Sequence, residues 1–91
     1  MRLLELHEML TEAFNLVESE KTYDALHKLN EIVALLEPIK NDYSDVRTMY
    51  DNILSISKLY WRRRLNKVLA LSTLNNAILI CDEWIQVRAR A

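Results

Sequence analysis

The sequence predicts an all-α protein, a small antiparallel bundle of three to four helices, on three observations. The 91 residues contain no glycine and a single proline, Pro38, so the tight turns that sheets and Gly-rich phosphate loops require are absent. Apolar residues recur at spacings of three and four along most of the chain, the period of a helix face. The apolar fraction, 51%, is high for a chain of this size, while 91 residues are enough for one core and one domain, residues 1–91.

The elements follow in order. Leu3, Leu6, Leu10, Ala13 and Val17 mark one face of a first helix over about 2–18, with Phe14 beside it and Glu5, Glu8 and Glu12 opposite. Ser19 to Thr22 supplies a polar turn, with Ser19 or Thr22 as the expected cap of a second helix over 22–37. That helix carries two adjoining stripes, Leu26, Leu29, Val33, Leu36 and Ala25, Leu29, Ile32, Leu36, Ile39, which predict a wide buried face. Pro38 disfavours helical geometry at Glu37, and Asn41 and Asp42 extend the interruption. Ser44 is the expected cap of a third helix, with Asp45 well placed for the helix dipole.

From Ser44 onward no strong breaker appears. Val46, Met49, Ile53, Ile56 and Tyr60 form one stripe, and Leu71, Leu74, Ile78, Cys81 and Ile85 form another. Between them the same face holds Arg63, Arg64 and Lys67, whereas Trp61, Leu65 and Val68 fall elsewhere. The expected resolution is a break near Ser72 and Thr73, giving helices over 44–70 and 73–89, with one merged helix as the alternative. Part of the second helix, Tyr23-Asp24-Ala25-Leu26, has the spacing used by helix-hairpin repeats and small three-helix trafficking modules, but the other small residues of those families are absent, so no family is assigned.

Catalytic and metal chemistry find little support. Glu5, Glu8 and Glu12 would need a second acidic pair to hold magnesium, but the contributors on offer, Asp42 with Asp45 and Asp82 with Glu83, fall in an expected turn and near the C-terminus, and the row itself lies opposite its helix's apolar face. His7 and His27 have no zinc-ligand spacing, no serine sits on a recognisable nucleophile turn, and neither histidine is near Cys81 in sequence. The expectation is therefore a protein that is not an enzyme and takes no cofactor or metal. Cys81, the single cysteine, falls in an apolar run and suits a buried position in a reducing, cytoplasmic setting. No uninterrupted apolar run reaches about eighteen residues, which predicts no membrane partner.

Charge provides the functional lead. Residues 1–45 hold four Lys or Arg against ten Asp or Glu, a balance of −6, and residues 46–91 hold eight against three, a balance of +5. The densest basic segment, Lys58, Tyr60, Trp61, Arg62, Arg63, Arg64 and Lys67, combines cations with aromatic rings, the side chains enriched where proteins dock. These seven are the expected partner-binding residues. The first expectation is a non-enzymatic interaction module that forms homo-oligomers or docks an adaptor protein. The alternative is a nucleic-acid accessory protein, with the cations on phosphates and Tyr60 or Trp61 stacked on bases.

Overall fold

The computed structural model describes residues 2–62 and 66–90, without the side chain of Arg90. Helices α1 (Leu3–Glu18), α2 (Thr22–Leu36), α3 (Ser44–Trp61) and α4 (Lys67–Arg90) run alternately up and down, and a 3₁₀ turn over Glu37–Ile39 follows α2. α1 packs against both α2 and α4, α2 against α3, and α3 meets α4 along the least extensive of the four seams. One end of the bundle carries the α1–α2 turn, the end of α3 and the start of α4. The other carries the start of α1, the α2–α3 loop and the end of α4.

The apolar stripes become the core. Leu6, Leu10, Ala13 and Val17 of α1 are buried, as are Ala25, Leu29, Ile32 and Leu36 of α2, with Leu26, Val33 and Ile39 partly covered beside them. Both expected faces of α2 are thus in use. In α3, Val46, Met49, Ile53, Ile56 and Tyr60 are buried together with Tyr50 and Ser57. In α4 the covered line is Ala70, Leu74, Ala77 and Cys81, so the two alanines allow close approach to α1 while Leu71, Ile78 and Ile85 stand at its edge.

Three local features depart from expectation. The helices of the second half do not divide at Ser72 and Thr73: α3 ends at Trp61 and α4 begins at Lys67, where Asn66 caps it by accepting the Leu69 backbone N–H on Oδ1 at 3.2 Å. Ser72 and Thr73 lie inside α4 instead, and the Thr73 hydroxyl is satisfied there by donating to the carbonyl of Leu69 one turn back, 2.8 Å away. The expected caps at Ser19, Thr22 and Ser44 do not form; Lys21 and Tyr43 occupy the cap positions with no side-chain bond, and the Ser44 carbonyl accepts from the Thr48 hydroxyl. Glu37 keeps helical angles, φ −51° and ψ −49°, despite Pro38 after it. The Tyr50 hydroxyl and the Lys40 ammonium both hold its carboxylate, which fixes that turn against α3.

The α1–α2 turn closes without glycine. Glu20 adopts a left-handed conformation, φ 59°, and the Lys21 N–H then bonds to the Leu16 carbonyl at 3.0 Å, satisfying the end of α1. A residue with a Cβ is strained there by about 1 kcal/mol.

Candidate basic and aromatic interface

The last turn of α3 sets out the basic and aromatic residues in opposite directions. Tyr60 continues the buried stripe and is only 8% exposed, so it is not a surface contact; burial, with Glu20 nearby, pushes its hydroxyl pKa up. Trp61, one residue and about 100° further round, is 77% exposed. Lys58, Arg62 and Lys67 are exposed, and Lys67 reaches Glu20 of the α1–α2 turn at 3.6 Å. Arg63 and Arg64 lie outside the described residues. The structure therefore gathers Lys58, Trp61, Arg62 and Lys67 at one end of the bundle and removes Tyr60 from the surface.

A further aromatic joins them. The Ser57 hydroxyl donates to Asn30 Oδ1 at 2.6 Å and the Tyr50 hydroxyl to Glu37, and these two bonds share one antiparallel register between α2 and α3. That register sets Trp61 opposite Leu26, one turn from Tyr23, which is 90% exposed. Sequence reasoning singled out Tyr23 only for its spacing to Ala25 and Leu26; the surface partnership depends on cross-helix register, which no local pattern encodes. Val68 and Leu69, 76% and 52% exposed, open α4 at the same end.

Apolar exposure continues down α4. The segment Lys67–Ala89 has a mean hydropathy of 1.3 and is long and apolar enough to cross a membrane by length and composition, the test a buried core helix also passes, and 22% of the qualifying window is buried in the bundle. The expectation of no spanning segment rested on uninterrupted runs; averaged over a window, Asn75, Asn76 and Asp82 no longer disqualify the helix. Two clefts flank its end. One, of about 590 Å³, lies at the end of the bundle where the starts of α1 and α3 meet the end of α4, lined by Leu3, Tyr43, Asp45, Trp84, Val87 and Arg88; the other, of about 720 Å³, lies between α1 and α4, lined by Leu3, Leu4, Glu5, Glu8 and Ile85.

Reactive groups are tied down elsewhere. Among the described residues no three His, Cys, Asp or Glu side chains are grouped to hold a metal ion. Glu12 lies 3.1 Å from Lys28, which also pairs with Glu31, and Glu5 and Glu8 are exposed on the outer face of α1. His7 Nε2 meets Asp82 at 2.9 Å, tying α1 to α4, and His27 meets Glu31 on its own helix. Burial, with Asp82 adding to it, pushes the Cys81 thiol up to about 11, and Sγ points at the Leu3 carbonyl 3.5 Å away. A thiol so protonated is a poor nucleophile. No family model, no curated protein and no solved structure matches the chain.

Proposed function

We propose that the chain is a non-enzymatic protein-interaction module, a helical bundle that self-associates or docks an adaptor protein through apolar helix surface flanked by charge. The observation that carries this reading is surplus exposed surface. The accessible area is 6139 Å², against about 5,500 Å² for a compact monomer of 10.8 kDa. Much of the surplus is apolar: Val68, Leu69, Leu79 and Val87 stand out along α4, with Tyr23 and Trp61 beside them at one end. The mechanism is binding alone, with apolar burial supplying affinity and charge selecting orientation. The lone Cys81, buried and free, suits the reducing, cytoplasmic setting that belongs to the same reading.

Sedimentation of the purified protein at low and high salt tests it, alongside affinity capture from cell extract. A monomer up to high micromolar concentration at low salt, with nothing specifically captured, removes the reading.

A second reading, binding of single-stranded nucleic acid, is favoured by one feature: exposed Trp61 and Tyr23 flanked by Lys58 and Arg62 offer stacking planes beside cations. It requires that the native protein bind oligonucleotides with a steep salt dependence and that Trp61→Ala weaken binding. Failure of the unmodified protein to bind removes it.

A further inference from the structure

Beyond the interaction-module reading, we propose that the cleft where the starts of α1 and α3 meet the end of α4 binds a zwitterionic dipeptide with apolar side chains. Its volume of about 590 Å³ lies within the range of small-molecule sites, which form between the helices of bundles and combine apolar walls with a few polar groups. From α3 come Tyr43 and Val46, from α4 come Trp84 and Val87, and Leu3 of α1 joins them. One aromatic and one aliphatic side chain from each helix give apolar area to two ligand side chains. The neighbouring cleft, of about 720 Å³, has no aromatic residue in its lining.

Charge selects the ligand. The lining holds one carboxylate, Asp45 of α3, and one guanidinium, Arg88 of α4. Asp45 is exposed and, among the described residues, takes part in no ion pair, so the two charges of the cleft do not close on each other. A ligand with a single charge of either sign meets one attractive and one repulsive group here, whereas a zwitterion meets two attractive ones. An extended dipeptide separates its ammonium and carboxylate by about 7 Å, far enough to address two groups that stand apart. The ammonium then belongs with Asp45 and the carboxylate with Arg88, whose guanidinium offers two parallel N–H donors.

Calorimetric titration of the full chain with leucyl-phenylalanine, its C-terminal amide and its N-acetyl derivative tests the site, with Trp84 emission followed in the Trp61→Phe variant. The unblocked dipeptide is expected to bind with a Kd below about 1 mM and to shift Trp84 emission, and each blocked form to bind about fivefold more weakly. Asp45→Asn is expected to abolish only the preference over the N-acetyl form, and Arg88→Gln only the preference over the amide. Both positions are exposed, and circular dichroism confirms that each variant folds. Absence of binding up to about 10 mM would overturn the site. So would blocked forms that bind as well as the dipeptide, binding that leaves Trp84 emission unmoved, or a preference that survives its matching substitution. Sedimentation and capture, which decide the interaction-module reading, do not measure this cleft, so either can fail alone.

Discussion

The α2–α3 seam and the α3–α4 seam belong to the same bundle and are held in different ways. Across α2–α3, Leu29, Ile32 and Ile53 are fully buried, the Ser57 hydroxyl meets Asn30, the Tyr50 hydroxyl meets Glu37, and Lys40 sits 4.7 Å above the Tyr50 ring. Directional bonds therefore fix one register there. Across α3–α4 a cleft separates Tyr43 and Val46 from Trp84 and Val87, and α4 leaves several large apolar side chains exposed. The difference teaches that directional bonds and available surface are placed on different helices: α2 is locked to α3 by side-chain hydrogen bonds, whereas α4 packs on α1 through Ala70, Leu74, Ala77 and Cys81, with Leu71, Ile78 and Ile85 partly covered, and leaves Val68, Leu69, Leu79 and Val87 exposed.

The contrast can be broken most directly in the core. Leu29→Ala is expected to cost about 2–5 kcal/mol in denaturant unfolding, as a fully buried leucine does, whereas Leu79→Ala, on the exposed side of α4, should fall within about 0.5 kcal/mol. Equal losses would mean that α4 is covered in the folded protein. Glu20→Gly is expected to stabilise by about 1 kcal/mol, seen as a higher Tm, because it relieves the left-handed strain; the exposed pair with Lys67 that it removes is worth less. Ser57→Ala should cost about 1 kcal/mol by removing the hydroxyl that meets Asn30, and Thr73→Ala, on α4, distinctly less.

Acid titration sharpens the same comparison at smaller amplitude. The Tyr50 hydroxyl first, and the Lys40 ammonium second, hold the Glu37 carboxyl below its ordinary value of 4.5. A carboxyl depressed on folding adds stability above its unfolded value, and that contribution is lost as pH falls through the folded one. Stability measured by urea unfolding should therefore decline below about pH 4.5, and Tyr50→Phe should flatten part of the decline. An unchanged profile would separate Glu37 from the α2–α3 seam.

How much could be read beforehand depended on the range of the interaction. Stripes such as Leu6, Leu10, Ala13 and Val17 were legible because a helix face is a local pattern. The end of α3 was not, because the apolar periodicity runs past it and no glycine or proline marks it; the start of α4 turns on one amide, Asn66, whose Oδ1 accepts the Leu69 N–H, while Thr73 satisfies its own hydroxyl within the helix. Tyr60 shows a conflict contained in the sequence itself. Its place in the Val46–Tyr60 stripe pointed inward and its basic neighbours pointed outward, and burial prevailed because the side chain lies on the core side of α3. The charge split between halves was visible, but its spatial form was not. The acidic half supplies α1 and α2, the basic half supplies α3 and α4, and they lie side by side, joined at Lys67–Glu20 and His7–Asp82. Tyr23 joined the surface only through register across α2 and α3.

The sulfur of Cys81 gives this molecule a built-in clock. Because it is sealed under the first turn of α1, a thiol-directed dye can reach it only when that turn and the last helix part. The labelling half-life therefore counts those openings, and anything that clamps the terminal helix in place will lengthen it.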